Sequence, residues 1–120
     1  MRLDHLFLSF PAGKESACRA FWTGVIGMKE VDKPENLKGE GGGWFRRGTA
    51  IVHIGPDPDF SITDRPHPAF AISGLDAMAD TLLAAGHDVT WDDRIVGVRR
   101  FFTHDPVGNK LEFIEEQVAE

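Results

Sequence analysis

The sequence predicts an α+β chain in which one strand–helix–three-strand unit is written twice. Two stretches, Arg2 to Gly55 and Pro66 to Glu115, repeat the same order of strand alternation, helical spacing and glycine stops. Each also places a side chain able to hold a metal in its first and its last strand: His5 and His53 in the first stretch, His67 and Glu112 in the second. The interval from His5 to His67 nearly equals that from His53 to Glu112, so the four lie at equivalent places of a duplicated unit and point to one shared site. The expected organisation is a single domain over 1–120, with a first module over about 1–55, a linker over about 56–65 and a second module over about 66–120.

The first unit opens with alternation from Leu3 to Phe10, which sets Leu6, Leu8 and Phe10 on one face and His5, Phe7 and Ser9 on the other. Pro11-Ala-Gly13 breaks it, and Ala17, Phe21, Gly24 and Val25 recur at helical spacing, predicting a helix over Lys14–Ile26 with Gly27 as its left-handed cap. A short strand follows near Met28–Val31, then a polar loop through Pro34 and Glu40. Gly41-Gly42-Gly43 lacks the spacing and the following helix of a phosphate loop, so it reads as a turn or a point of close approach for a ligand. Trp44–Arg46 and Thr49–Ile54 read as a hairpin turning at Arg47-Gly48.

From Gly55 to Pro66 the chain carries three prolines and three aspartates, which is loop chemistry. The order then restarts. His67–Ser73 alternates as a strand, and Ser73-Gly-Leu-Asp76 has the spacing of a capping box. Leu75, Met78, Ala79 and Leu82 form a helical stripe that stops at Gly86. His87–Trp91, Gly97–His104 and Lys110–Glu115 complete the unit, the last two joined by the turn Asp105-Pro-Val-Gly-Asn109.

Composition excludes several classes. A length of 120 residues suffices for a core without disulfides or a structural metal, and the net charge of -6 opposes non-specific binding to nucleic acid. No apolar run approaches the roughly 18 residues needed to span a bilayer, and Met1-Arg2-Leu3-Asp4 leads straight into a strand, so no membrane partner and a cytoplasmic location are expected. Cys18 falls among helical core positions and reads as a buried structural thiol. His87 and His104 read as surface residues.

In a sheet backed by helices on one face, the large apolar sets must meet the helices, which leaves His5, His53, His67 and Glu112 together on the opposite face. Imidazole nitrogen and carboxylate oxygen suit a divalent first-row cation, and two histidines with one carboxylate leave positions for water or a two-oxygen substrate. Arg46 or Arg47 beside Trp44, and Arg99 or Arg100 beside Phe101 and Phe102, pair a fixed cation with an aromatic surface, which suits a substrate anion. Only one arginine of each pair can share the ligand face; Trp44, Arg46 and Arg100 are the substrate-binding candidates.

Leu3-Asp4-His5, the restart at His67-Pro-Ala-Phe70 and the closing Asp105-Pro-Val-Gly-Asn-Lys-Leu-Glu112-Phe-Ile-Glu115 resemble the vicinal oxygen chelate superfamily, which includes glyoxalase I, extradiol dioxygenases, and fosfomycin- and bleomycin-resistance proteins. The resemblance covers nearly the whole chain. It implies two tandem βαβββ modules forming a curled mixed sheet around a cavity, with helices on the outer face and a homodimer as the working assembly. It also implies that His5, His67 and Glu112 are the metal ligands, with Zn, Ni, Mn or Fe(II) as the cation, and that Glu112 is the general base for a small oxygen-rich substrate. His53 stands where glyoxalase I commonly has a glutamate, a departure that reduces the usual carboxylate pair around the metal to one and makes His53 the candidate fourth ligand. Lyase, isomerase and dioxygenase chemistry stay open, as does metal-free binding of a drug or metabolite in the manner of bleomycin-resistance proteins.

Overall fold

Strand alternation and glycine stops build two mixed four-stranded sheets, one from each half of the chain. The computed structural model describes residues 1–117; the last positions of the expected second module, 118–120, lie outside them. The chain divides into two units, Met1–Ile62 and Thr63–Glu120. Among the described residues no helix is long and apolar enough to cross a membrane.

In the first unit, β1 (Leu6–Phe10) leads into α1 (Glu15–Ala20), then β2 (Lys29–Val31), β3 (Gly43–Arg47) and β4 (Ala50–Pro56). The sheet order is β1-β4-β3-β2, with β1 parallel to β4 and the other pairs antiparallel. The first strand is shorter than the alternation from Leu3 predicts, because its ladder with β4 begins at Leu6 opposite Val52. The expected helix over Lys14–Ile26 is present, but past Ala20 it widens into a π-helical turn over Phe21–Val25. The Ile26 amide there donates to the Phe21 carbonyl, and Gly27 caps the end at φ 78°. Phe21 and Trp22 enter that turn together, 2% and 0% exposed. The loop after β2 is not irregular throughout: Glu35–Glu40 forms a 3₁₀ helix behind Pro34.

Apolar residues of the helical segment and the sheet fill one side of this unit. Phe10, Cys18, Phe21, Trp22, Phe45, Val52 and Ile54 are buried, and Cys18 is accordingly a core thiol. The triple glycine serves the protein's own backbone. Gly42, at φ 77°, lies so close to β4 that an added Cβ would sit 1.9 Å from the Ile54 carbonyl oxygen. Its amide donates to Glu15 Oε1 at 2.6 Å and its carbonyl accepts from Arg19, which also binds Glu15 and Glu30. These bonds and the Arg19 charge hold the Glu15 carboxyl below the usual carboxylate range.

In the second unit, β5 (Ala69–Ile72), α2 (Leu75–Ala84), β6 (Thr90–Asp92), β7 (Arg100–His104) and β8 (Lys110–Glu115) repeat the plan, with order β5-β8-β7-β6 and β5 parallel to β8. Lys110–Glu115 forms the strand that its alternation predicts. The α2 stripe Leu75, Met78, Ala79 and Leu82 is buried, together with Phe101, Leu111 and Phe113. The expected capping box is not formed. The N-cap is Gly74, in the left-handed region at φ 75°, with no side-chain cap bond, and the Asp76 carboxylate is taken by Arg99 at 2.8 Å. The turn after β7 is fastened by Asp105, which accepts from the amides of Val107 and Asn109.

Gly42→Ala should destabilise the protein by about 3 kcal/mol, since it adds both left-handed strain and overlap with a backbone carbonyl. Denaturant titration measures this; a variant as stable as the parent would show that β4 yields freely at Ile54.

Candidate functional site

In the second unit the site begins with a carboxylate on β8. Glu112 stands between Leu111 and Phe113, which face α2, so alternation turns it to the other side, where it is nevertheless 5% exposed. His67 precedes β5, and the Glu112 amide donates to the Pro68 carbonyl at 3.0 Å, which fixes histidine and carboxylate side by side. His67 Nε2 lies 2.9 Å from Glu112 Oε1, and the other ring nitrogen, Nδ1, lies 2.8 Å from the Arg65 carbonyl oxygen. A carbonyl only accepts, so Nδ1 carries a proton; the Nε2–Oε1 contact then needs one further proton between the two atoms, the place a divalent cation would take. Two donors each about 2.1 Å from one divalent cation, and at right angles to one another, lie about 3 Å apart. The His67–Glu112 spacing meets that requirement, and the donor set is of the right kind.

The face around Glu112 is closed by charge and by a ring. Arg100 Nη1 donates to Glu112 Oε2 at 3.1 Å, and Nη2 donates to Asp92 Oδ1 at 3.1 Å. Asp92 is held further by the side chain and amide of Arg94. The Arg94 bonds first, and then the Arg100 charge, pull the Asp92 carboxyl down to about 2. Phe102 presents its ring to His67 edge-on at 5.3 Å. Arg99, on the opposite face, pairs with Asp76 and Glu115 and lies over Trp91, so Arg100 is the member of its pair that shares the Glu112 side.

The first unit uses ring stacking instead. His53 on β4 is opposite Phe7 of β1 and Trp44 of β3. Its ring lies 4.0 Å from the Trp44 ring, nearly parallel to it, and 4.1 Å from the His5 ring. His5 Nδ1 binds Asp4 Oδ2 at 3.0 Å, and this bond leads the causes that lower the Asp4 carboxyl. His5 thus has the same device as His67, an acceptor on Nδ1 that leaves Nε2 for another partner. Burial, and then the neighbouring His5, push the His53 imidazole below its ordinary value, which keeps it neutral. Arg46 is exposed, while Arg47 donates to the Ile26 carbonyl on the helix side. A cleft of about 130 Å³ opens beside Trp44, walled by Phe7, Leu37, Gly55 and Pro56 with Lys33 at its edge. Gly55 is required there, because a Cβ would meet the Phe7 ring at 2.6 Å.

Within either unit, among the described residues, no three His, Cys, Asp or Glu side chains gather as a metal group: the first contributes His5 and His53, the second His67 and Glu112. Asp92, Phe102 and Phe7 also belong to these surroundings. Alternation had already put Phe7 on the His5 face; Asp92 and Phe102 needed the strand register, which periodicity does not carry.

This fold, with paired histidine and carboxylate donors on repeated βαβββ units, is that of a vicinal oxygen chelate protein. A glyoxalase family protein from Bacillus anthracis is 39% identical to the chain, covering 98% of it and 96% of its own length, with a TM-score of 0.91. The chain belongs to the glyoxalase family of the vicinal oxygen chelate superfamily. The fold is shared with the fosfomycin resistance protein FosX from Listeria monocytogenes, of which a variant was solved with Mn(II) and 1S,2S-dihydroxypropylphosphonic acid; identity is 16%, coverage 98% and 93%, and TM-score 0.80. It is shared also with lactoylglutathione lyase from Agrobacterium tumefaciens, at 18% identity, coverage 92% and 91%, and TM-score 0.68. No protein-family model matches the chain, and no curated protein does.

The depressed His53 value has a consequence for stability. The unfolded chain takes up the proton first, near the ordinary imidazole pKa of about 6.5, so the folded state loses stability as pH falls through that value toward the folded one. His53→Phe, which preserves a flat ring against Trp44, should lose less stability than the parent between about pH 7.5 and 5.5. Parallel denaturant titrations at the two pH values measure the difference; equal losses would exclude His53 as the cause.

Proposed function

We propose that this chain is a small metal-dependent enzyme of glyoxalase type, in which His5, His67 and Glu112 hold one divalent cation, with His53 beside them as a fourth donor. On this reading the two units act as one domain, the working form is a homodimer, and the substrate is a small, oxygen-rich metabolite. The observation that carries the proposal is the His67–Glu112 pair, spaced at 2.9 Å with the far ring nitrogen of His67 already tied to the Arg65 carbonyl.

When bound, the cation supplies Lewis-acid polarisation of two neighbouring oxygens on the substrate. Glu112, the one carboxylate of the set, would use Oε1, the oxygen not bonded to Arg100, to take a proton from the substrate carbon beside those oxygens and return it to the adjoining carbon. It is buried, and its other oxygen, Oε2, accepts a hydrogen bond from Arg100, which fixes the side chain's orientation. His5 and His67 present Nε2 because Asp4 and the Arg65 carbonyl occupy Nδ1. Trp44 and Phe7 wall a cleft whose volume suits a compact apolar substituent, and Arg46 lies on the same strand for an anionic end.

Mn(II), the cation bound in the FosX variant, is the first to test. Calorimetric titration of the protein after chelator treatment should give saturable binding, with His67→Ala and Glu112→Ala each weakening it by about 100-fold or more. A parent that takes up none of Zn, Ni, Mn or Fe(II), yet is stabilised by an organic ligand in thermal-shift screening, would replace this reading with metal-free metabolite binding. Hemithioacetals, catechols and epoxides make a sufficient first panel.

A further inference from the structure

Arg100 holds two carboxylates at once. On β7 it is directly opposite Asp92 of β6, and it lies two residues from Phe102, which is opposite Glu112 of β8. A long side chain spans that diagonal. Nη1 takes Glu112 Oε2 and Nη2 takes Asp92 Oδ1, both at 3.1 Å. The three side chains are 11%, 7% and 12% exposed for Arg100, Glu112 and Asp92, so water screens their charges weakly.

The third guanidinium nitrogen carries a donor, Nε–H, that is buried with no acceptor among the described residues. The side chain is therefore placed by its two carboxylates and not by full satisfaction of its own hydrogen bonds. Asp92 is fixed in turn by Arg94 through Nε at 2.7 Å and through its amide at 3.0 Å. The guanidinium also sits over the Phe102 ring, 5.2 Å from its centre.

Glu112 consequently has one oxygen facing His67 and the other already occupied. We propose that Arg100, anchored by Asp92, is a positioning residue that keeps Glu112 a one-oxygen metal ligand, leaving Oε1 for the cation and withholding Oε2. The role rests on the metal reading above. A carboxylate shared with a cationic side chain gives less charge to the metal, and it occupies one coordination position where a freed carboxylate would chelate through two. The positions left open are those that a two-oxygen substrate needs.

The test is a Mn(II) titration of full-length variants that retain the parent's circular dichroism. Arg100→Met removes the charge and frees Oε2, so the dissociation constant should fall several-fold. Asp92→Asn leaves Arg100 on Glu112 alone and should raise it several-fold. Arg99→Gln removes an equal charge from the opposite face and should change it less than twofold, and the Arg100→Met gain should persist at high salt, where diffuse charge effects are screened. Infrared difference spectra between metal-bound and metal-free protein give the second readout. The carboxylate bands that vanish in Glu112→Gln should narrow their splitting in Arg100→Met, as expected for two-oxygen coordination. Where the methionine variant does not fold, Arg100→Gln carries the test in the same direction.

Unchanged or weaker binding by Arg100→Met, with a parent that binds Mn(II) and a Glu112→Gln variant that does not, overturns the positioning role and leaves the metal reading standing. A parent that binds none of the candidate cations overturns both.

Discussion

A carboxylate buried in the middle of a strand constrains everything around it. Glu112 has Leu111 and Phe113 as neighbours, 0% and 1% exposed, and is itself 5% exposed, so its charge is removed from water on a sheet whose other face is the apolar core. An unpartnered carboxylate in that position costs several kcal/mol. The partners follow in sequence: Arg100 compensates Glu112, Asp92 balances Arg100, and Arg94 at the surface balances Asp92, while His67 takes the other oxygen of Glu112. Each step occupies a different strand or strand edge, so the registers of β5, β6, β7 and β8 are tied to one side chain.

The first unit places no charge at the equivalent point and has no such relay. His53, 9% exposed, is sandwiched between Trp44 and His5, and burial keeps it neutral. The only arginine on that face of β3, Arg46, is exposed and two residues from Trp44. A carboxylate in place of His53 would meet a flat indole and a second imidazole with no buried cation to balance it. The duplicated pattern is thus repeated in backbone and divergent in electrostatics: one half offers stacked ring nitrogens, the other an ion-paired oxygen.

Periodicity made much of this legible. The β8 strand, the buried α2 stripe, the Gly27 and Gly86 stops and the separation of Glu112 from Leu111 and Phe113 all follow from spacing alone, because each depends on residues close in sequence. What spacing does not carry is competition for partners. Ser73 and Asp76 have the offset of a capping box, yet Arg99 takes the aspartate and Gly74 becomes the cap. Arg100 reads from sequence as a cation free for a substrate anion, whereas strand register delivers it to Glu112 and Asp92. The widening at Phe21 is equally tertiary in origin, arising where two large rings enter the core together.

The same charge arrangement bears on which cation the proposed site selects. As ligands, three imidazoles and one carboxylate would bring about one negative charge, and Arg100, bonded to Glu112, would draw part of that away. Hard cations such as Mg²⁺ and Ca²⁺ are held by several oxygens and gain little from imidazole, so a set of this composition discriminates against them. Borderline first-row cations accept imidazole readily. With roughly one ligand charge set against two on the cation, the assembled centre would remain positive. An incoming substrate with an anionic or readily ionised oxygen pair is then attracted by the centre itself, which ties the weak carboxylate contribution of Glu112 to the chelating chemistry proposed for the chain.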